Sequence, residues 1–373
     1  MALGIKSTNP NTEILIIAGT DIPQVFIQNN IEVIKLPSTK ILFENGKQKL
    51  VPRYLKMDLS ELFKLRQNII NVTFESFKPD IVLVEHNMTG QAWELAPIIL
   101  EKWRNRKAFK LGLVSRGIID SPKELLVNYT RNQHLLESID VPNLYDHVFV
   151  MDNKSVIDYK KEYGFSDDFC SKITYHGLIT AKNKQDLDKQ ATIKRLHLKN
   201  KKLILVTLGR IGDIEKIFQY VLTAFNELPK KYLLKIQLDL YLDAKIKKQI
   251  EAQTRNNPNI ILSNFSSSLI EEINVADIVI SRAGYNTVAE ILLTNAKAIL
   301  FPEVGRTEEE MFRSIKVSRQ GLIEFFDERY VDYASFRKTF REVLKSKKAD
   351  YEINLDNRKT AKQILTILGA KHD

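Results

Sequence analysis

The chain has 373 residues, of which 44% are hydrophobic and 27% charged, a balance typical of a globular protein rather than a disordered one. No apolar run approaches the length of about 18 residues that a membrane-spanning helix needs. The net charge of +10 is compatible with nucleic acid, an anionic membrane or an anionic substrate, but the Lys and Arg residues are scattered, which argues against a nucleic-acid-binding protein.

Cysteine and histidine usage indicate a reducing compartment and no metal. Cys170 is the only cysteine, so an intrachain disulfide and a cysteine-based metal site are excluded, and the histidines show no metal-ligand spacing. The N-terminal residues MALGIKSTNPNTE lack the apolar core of a signal peptide. We therefore expect a cytoplasmic protein, with a peripheral contact to the anionic inner face of the membrane as a second option.

Short β-branched runs alternate with amphipathic helical segments along the whole chain. The strand-like runs are Ile14–Ala18, Ile31–Leu36, Ile81–Glu85, Lys110–Val114, Val148–Met151, Ile173–Tyr175, Leu203–Leu208, Leu233–Leu240, Ile260–Leu262, Ile278–Ser281, Ala298–Phe301 and Leu322–Phe325. The helical segments include Leu59–Glu75, Trp93–Arg104, Lys123–Leu136, Glu215–Leu228 and Ala244–Gln253. This alternation predicts an α/β protein with two doubly wound parallel-sheet domains.

The predicted domain boundary lies where the composition turns polar. Residues 1–178 form the first Rossmann-like domain, and the polar stretch 179–200 is the expected linker. Residues 201–355 form the second domain. The segment 356–373 is predicted to be a C-terminal helix with apolar positions that include Ala361 and Ile364.

The second domain opens with a strand that runs into a glycine-containing turn, Gly209-Arg210-Ile211-Gly212-Asp213. The turn matches neither the dinucleotide-binding glycine pattern nor a P-loop, so a tight strand-to-helix turn and a phosphate contact both stay open. Strand ends of one parallel sheet share an edge, and this turn is therefore expected to lie near the turn that follows Ile278–Ser281.

The stretch from Ala276 to Phe312 contains the strongest candidate site. A buried strand ends at Ser281, the turn Arg282-Ala283-Gly284 follows, and a helix begins near Asn286 and Thr287. Small residues at such a turn let backbone N–H groups approach a ligand, and the helix N-terminus adds positive potential, so the place suits a phosphate or pyrophosphate. Glu290, about two turns into the helix, is placed to reach a sugar hydroxyl.

The acidic loop after the next strand has two interpretations. Thr307, Glu309 and Glu310 are candidates to hydrogen-bond sugar hydroxyls at the same sheet edge. Alternatively, they form an exposed helix start, because acidic side chains favour the first turn of a helix.

The same residues carry a resemblance to a known family. The segment SRAGYNTVAEIL…FPEVGRTEEEMFRSIKVSRQGL resembles the donor-binding region of family-28-type glycosyltransferases, which include the enzyme that adds N-acetylglucosamine to the lipid-linked peptidoglycan precursor. It is most similar to a bacterial group of predicted glycosyltransferases with a Gly-Tyr-Asn-Thr-Val-x-Glu motif. Residues 51–66, 76–95, 111–122 and 145–153 resemble that group's acceptor-side domain.

The resemblance implies a GT-B fold, with two Rossmann-like domains facing a central cleft and a C-terminal helix that returns to the first domain. It implies a nucleotide-diphosphate sugar donor, expected to be a UDP-sugar, a hydroxyl acceptor and no cofactor. Glu290 would hold the ribose, and Thr307, Glu309 and Glu310 the donor sugar. The residues expected at the diphosphate are Gly209, Arg210, Gly212, Arg282, Ala283, Gly284, Tyr285, Asn286 and Thr287.

One family feature is absent. The family opens with a strand and a Gly-x-Gly-His loop whose histidine is taken as the catalytic base, whereas this sequence begins with what resembles the following helix. Three explanations are open: a start site assigned too late, a partner chain that supplies the segment, or loss of catalysis. His86, after the strand Ile81–Glu85, is the candidate replacement base. Arg116 and Asp120 would bind acceptor or pair with each other.

The sequence therefore predicts a glycosyltransferase. A nucleotide-sugar epimerase of GT-B fold and a non-catalytic or partner-dependent nucleotide-sugar-binding subunit are the alternatives, and nucleic-acid binding rests on charge alone.

Overall fold

A computed structural model describes residues 1–20, 23–44, 47–125, 139–180, 182–264, 266, 269–304, 307–321, 323–347 and 357–367. The chain divides into two compact units. The N-terminal unit contains residues 1–177 together with the C-terminal segment from 356 onward, and the C-terminal unit contains residues 178–355. The segment 179–200, expected to be a linker, lies within the C-terminal unit.

The described strands are numbered in chain order. They are β1 (Leu15–Ala18), β2 (Glu32–Lys35), β3 (Thr39–Glu44), β4 (Lys47–Pro52), β5 (Ile81–Glu85), β6 (Lys110–Ser115), β7 (His147–Val150), β8 (Ile173–Tyr175), β9 (Lys202–Thr207), β10 (Tyr232–Gln237), β11 (Ile260–Ser263), β12 (Ile278–Ser281), β13 (Ala298–Leu300) and β14 (Glu324–Phe325).

The described α-helices are α1 (Ala2–Thr8), α2 (Gln24–Ile27), α3 (Leu59–Phe77), α4 (Ala96–Arg104), α5 (Val141–Leu144), α6 (Tyr159–Tyr163), α7 (Asp167–Ser171), α8 (Lys189–Arg195), α9 (Ile214–Asn226), α10 (Ala244–Thr254), α11 (Leu269–Val275), α12 (Tyr285–Thr294), α13 (Glu309–Ser318), α14 (Tyr333–Lys345) and α15 (Asn357–Ile367). Most of the predicted helix Lys123–Leu136 lies outside the described residues.

The C-terminal unit contains a parallel sheet with the strand order β11-β10-β9-β12-β13-β14. The central strands are continuous apolar runs, as expected for strands covered by helices on both faces, and all four residues of β12 are buried. Strand β9 lies beside β12, with Thr207 opposite Ser281. The turns that follow these two strands therefore leave the sheet side by side.

The N-terminal unit is also α/β, but its described parallel strands form two separate sheets. One has the order β5-β6-β7-β8 and the other pairs β1 with β2. An antiparallel hairpin of β3 and β4 was not predicted, because its residues are rich in lysine and carry little apolar alternation. The doubly wound parallel architecture predicted from the sequence is confirmed.

The C-terminal helix α15 packs against α1, at the opposite end of the chain. Its apolar positions Ala361, Ile364 and Leu365 are buried. The hydroxyl of Thr360 lies 2.8 Å from Nδ1 of His176, just after β8. Helix α15 is therefore part of the N-terminal unit.

A buried ionic network attaches α8 to the C-terminal unit. The fully buried carboxylate of Glu272, on α11, accepts a hydrogen bond from Arg195 at 3.0 Å and contacts the ammonium of Lys235 on β10. A buried carboxylate needs such partners, because transfer of an unpaired charge from water into the interior costs several kcal/mol. The network fixes α8 against α11 and β10.

Candidate functional site

The candidate site is built on the passage from β12 into α12. Ser281 and Ala283 are fully buried, and the helix begins at Tyr285 with Gly284 as its N-cap. No side chain caps this helix, so the backbone N–H groups of its first turn are presented at its N-terminus. Such a terminus favours a negatively charged group.

Arg313, on α13, holds the turn from one side. Its side chain is buried and donates a hydrogen bond to the carbonyl of Ala283 at 3.0 Å. It also pairs with the carboxylate of Glu309 at 2.5 Å and lies 5.7 Å from the ring centroid of Tyr285. The hydroxyl of Tyr285 in turn accepts a hydrogen bond from the backbone of Ile179. Sequence reasoning missed Arg313, although the spacing of Glu309 and Arg313 is that of a helical ion pair.

Glu310 contacts the turn directly. One of its carboxylate oxygens accepts hydrogen bonds from the backbone N–H of Ala283, at 3.0 Å, and of Glu303, at 2.8 Å. Burial raises the pKa of Glu310, and the nearby Glu303 carboxylate adds to that rise, while the two hydrogen bonds and Arg313 oppose it. A carboxylate therefore already lies at the N–H group expected to bind phosphate.

Arg282 holds the turn from the other side. Its guanidinium donates to the carbonyls of Leu208 and Phe301, at 3.1 and 3.0 Å, and to that of Ile211. It also forms an ion pair with Glu328 at 2.7 Å. The N–H groups of its guanidinium are thus bonded to other residues of the protein, and Arg282 links the turn after β12 to the turns after β9 and β13.

Glu328 was not predicted and completes this link. Its carboxylate also accepts a hydrogen bond from the backbone of Asp213, and its carbonyl accepts one from Lys216. Gly212 has φ +90, and a Cβ there would collide with Arg282 and Glu328, so only glycine fits this close approach. Arg282 and Glu328 therefore bring the Gly209–Asp213 turn beside the turn that precedes α12.

Glu290 lies on α12 and is partly buried. Burial raises the pKa of its carboxyl to about 7, and the described residues provide its side chain with no hydrogen-bond or ionic partner. A half-buried carboxyl without a protein partner is unfavourable when ionised, so this position suits a ligand that donates hydrogen bonds.

The remaining candidates for donor binding lie around the turn that precedes α12. Asn286 is exposed in the first turn of α12, and Thr287 and Thr307 are partly buried. Arg210 is exposed; its guanidinium lies 3.7 Å from the carboxylate of Asp239 and 5.3 Å from the ring centroid of Tyr241, after β10. All of these residues follow strands at the carboxyl edge of the same sheet.

The acceptor-side candidates follow β5 and β6 in the N-terminal unit. His86 has a left-handed backbone with φ +63, and its N–H donates to the carbonyl of Val114 at 2.8 Å. Arg116 pairs with Glu85 at 2.9 Å. Asp120 is buried, and its carboxylate accepts a hydrogen bond from the N–H of Ser121. A non-glycine residue with positive φ is uncommon, and such conformations cluster at functional sites.

Neither a metal site nor a membrane span is found within the described ranges. No group of three or more His, Cys, Asp or Glu side chains is placed to hold a metal ion there. None of the helices described is both long and apolar enough to cross a bilayer. A peripheral contact with an anionic membrane stays a prediction.

The two α/β units have the architecture of the GT-B fold, and comparison with solved structures agrees. The chain is similar to the glycotransferase of kitacinnamycin (TM-score 0.62, 13% identity, 98% of this chain and 89% of that one) and to Acinetobacter baumannii MurG (0.54, 11%, 100% and 91%). It is also similar to UDP-GlcNAc 2-epimerase from Neisseria meningitidis bound to UDP-GlcNAc (0.63, 17%, 99% and 95%). At these identities the likeness shows the fold alone.

Sequence comparison gives a family match for the C-terminal part of the chain. Residues 203–366 match the sequence model of the Glycosyltransferase family 28 C-terminal domain. The chain is 24% identical over 220 residues to an uncharacterized glycosyltransferase of Methanosarcina mazei, covering 54% of each. It is 23% identical over 195 residues to a processive diacylglycerol beta-glucosyltransferase of Staphylococcus epidermidis, covering 51% of this chain and 49% of that one. The chain thus spans about half the length of the curated relatives it matches.

Substitution of Glu328 by Gln should destabilise the C-terminal unit, because it removes the carboxylate that pairs with the half-buried Arg282 and anchors the backbone of Asp213. Breaking a buried ion pair costs about 3 kcal/mol in the free energy of unfolding, measurable by chemical denaturation. The control is Glu227→Gln, which breaks the exposed contacts with Arg337, Arg341 and Tyr333 and should change stability much less. Equal effects of the two substitutions would contradict this role.

Glu290 should make stability depend on pH. Because its folded-state pKa of about 7 lies above the ordinary value of 4.5, the folded protein binds this proton more tightly than the unfolded chain, and its contribution to stability falls as pH rises from about 4.5 to 7. Glu290→Gln should therefore raise the midpoint of thermal unfolding at pH 8 and leave it nearly unchanged at pH 4. An equal shift at both pH values would show that the carboxyl titrates normally.

Proposed function

We propose that this protein transfers a glycosyl group from a nucleotide-diphosphate sugar, most specifically a UDP-sugar, to a hydroxyl acceptor. The GT-B fold and the match of residues 203–366 to the Glycosyltransferase family 28 C-terminal domain support sugar transfer. The nucleotide, the sugar and the acceptor are the parts that the proposal adds.

The observation that carries the proposal is the carboxyl of Glu290. It lies on the helix whose N-terminus is already occupied by a carboxylate, that of Glu310, and it has no described partner of its own. A diphosphate at Ala283 and Gly284 with a ribose beside Glu290 would satisfy both features. The ribose hydroxyls would donate hydrogen bonds to Glu290, and bonds to an ionised acceptor are among the stronger ones in proteins.

The diphosphate would be held mainly by backbone groups. In this proposal the N–H groups around Ala283, Gly284 and Tyr285 contact phosphate oxygens, with Asn286 and Thr287 in the first turn of α12. The Gly209–Gly212 turn and Arg210 contact them from β9. As the bond from the anomeric carbon to phosphate breaks, its electron pair leaves with the diphosphate, and the helix dipole stabilises the developing charge.

The donor sugar would lie toward the start of α13, near Thr307, Glu309 and Glu310. Glu309 is engaged by Arg313, so one of its oxygens is fixed and directed by that pair. The guanidinium of Arg282 donates to the carbonyls of Leu208 and Phe301 and pairs with Glu328. We therefore propose it as a positioning residue for the diphosphate loops.

On the acceptor side we propose His86 as the base. Its imidazole would take the proton of the acceptor hydroxyl as the oxygen attacks the anomeric carbon. Arg116 and Asp120, which follow the neighbouring strand β6, would orient the acceptor. The left-handed backbone at His86 supports this assignment, because it fixes the direction in which the residue leaves the sheet.

Two alternatives keep the same donor site. One is an epimerase, which would change the sugar without an acceptor; a UDP-GlcNAc 2-epimerase shares the fold. A non-catalytic or partner-dependent subunit would bind the nucleotide sugar without turnover. Epimerised sugar nucleotide in an acceptor-free reaction, followed by NMR, would identify the first. Binding without turnover until a second chain is added would identify the second.

Glu290→Ala should weaken the binding of UDP-GlcNAc, used as the probe, about tenfold or more, since hydrogen bonds to a charged group contribute about 1.5–3 kcal/mol. Isothermal calorimetry measures the dissociation constant. The control is Glu342→Ala, an exposed carboxylate on α14 of the same unit, which should leave it unchanged. Unaltered binding by Glu290→Ala would remove Glu290 from the site.

Transfer itself is tested with UDP-sugars and a panel of hydroxyl acceptors, with product detected by mass spectrometry. Diacylglycerol in vesicles belongs in the panel, because the Staphylococcus epidermidis relative is named for that acceptor. Hydrolysis without transfer, for every donor and acceptor, would contradict the transferase proposal.

A further part of the proposal concerns the two parallel sheets of the N-terminal unit. Within the described residues, their unpaired edges suggest that they receive an additional strand from another stretch of polypeptide. Strand β1 pairs only with β2, and β5 only with β6, among the strands described. The apolar residues of β1, and Ile81 to Leu83 of β5, are only partly buried. An unpaired apolar strand edge is a template for another strand. We propose that a parallel strand from a partner chain inserts between β1 and β5.

Arg66 indicates that these two edges are near one another. It donates to the carbonyl of Pro37, after β2, and pairs at 2.5 Å with Glu94, after β5. A Cβ at Gly19, after β1, would lie 3.0 Å from it.

A five-residue apolar strand with a glycine linker, fused before Met1, should slow hydrogen exchange of the amides of β1 and β5 and raise the midpoint of thermal unfolding. An equally long Gly-Ser extension is the control and should change neither. Unchanged exchange in β5 with the apolar strand would contradict insertion.

A further inference from the structure

The carboxylate of Glu310 and the phosphate of a donor would compete for the same backbone N–H. Glu310 accepts from Ala283 at 3.0 Å, and its second carboxylate oxygen lies 3.5 Å from the position of a Cβ on Gly284. It therefore covers the turn at the point where α12 begins. An N–H group has one proton to donate in a strong hydrogen bond, so the two acceptors exclude one another there.

We propose that the carboxylate of Glu310 competes with the donor diphosphate for the backbone N–H of Ala283. In the free protein the carboxylate occupies this N–H, and the diphosphate displaces it on binding. This inference rests on the proposed function, because it concerns regulation of that same site. Displacement frees the N–H of Ala283 and also that of Glu303, so the start of α13 and the segment after β13 lose the contact that joins them. The released carboxyl then lies beside the donor, where the sugar hydroxyls can donate to it.

The charges around Glu310 decide how strongly it competes. Glu303 repels the carboxylate, and Arg313 attracts it while remaining engaged with Glu309 and the carbonyl of Ala283. Burial penalises the ionised form. A diphosphate arriving beside this group adds further negative charge, so its binding favours either a rotated or a protonated Glu310. Donor affinity is thereby coupled to proton uptake.

The test is the substitution Glu310→Gln, which keeps the shape and removes the charge. At pH 8 it should bind UDP-GlcNAc about tenfold more tightly than the wild type, the order expected when one like charge about 4 Å away is removed from a partly screened site. Glu342→Gln makes the same change in net charge on an exposed face of α14 and should have no effect. Calorimetry gives the dissociation constants, and thermal unfolding confirms that each variant is folded.

The pH dependence of the affinity for UDP-GlcNAc separates the effect of Glu310 from that of other titrating groups. The affinity gain of Glu310→Gln over the wild type should shrink as pH falls from 8 to 5, because protonation neutralises the wild-type side chain as well. Taking the ratio at each pH cancels the titration of Glu290, which both proteins share. UDP-GlcNAc is preferred to UDP as the probe because its diphosphate carries no terminal phosphate that titrates in this range.

The outcomes separate the two proposals. No binding of UDP-GlcNAc to the wild type or to any variant would overturn the donor site itself. Binding to the wild type with equal or weaker binding to Glu310→Gln, or a ratio that does not change with pH, would overturn competition by Glu310 and leave the donor site standing. Glu310→Ala provides a second variant: it removes the competing charge together with the acceptor for the sugar hydroxyls, so it should bind more tightly than the wild type and less tightly than Glu310→Gln.

Discussion

The candidate site depends on one constraint, the tight passage of the backbone from a fully buried strand into a helix at Ser281–Gly284. Two arginines hold that passage. Arg313 donates to the carbonyl of Ala283 from α13, and Arg282 reaches the carbonyls that follow β9 and β13. Arg313 occupies the carbonyl of Ala283, and the carboxylate of Glu310 accepts from the N–H of the same residue. This division of donors and acceptors supports the anion site that we propose.

The chemistry of the site follows from backbone groups more than from charged side chains. The cations near the turn are engaged by Glu328 and Glu309, and the anion that the structure places there is a carboxylate of the protein itself. A phosphate group bound by amides and a helix dipole is stabilised without a strong point charge, so its departure as a leaving group remains possible. In the proposed function, the partly buried Glu290 adds recognition of a neutral, hydrogen-bond-donating group beside the phosphate.

Sequence reasoning predicted the strands of the C-terminal sheet closely, because continuous β-branched runs are the signature of strands buried on both faces. It also placed the two glycine turns at one sheet edge. It did not predict the contacts of Arg282 and missed Glu328, since a contact between residues 46 positions apart leaves no local pattern. The bond between Glu310 and Ala283 was equally invisible, because it joins a side chain to a backbone group. The hairpin of β3 and β4 was missed because its lysines hide the strand periodicity.

The return of α15 to the N-terminal unit affects the order in which the protein can be completed during synthesis. The C-terminal unit is an insertion within the N-terminal one, and α1 meets its partner helix only after the whole C-terminal unit and α15 have been synthesised. Domains usually fold in the order of their synthesis. Here the unit that is begun first is finished last, and until then the face of α1 that receives α15 is uncovered. Removal of α15 would therefore impair the N-terminal unit, although its residues follow the C-terminal one.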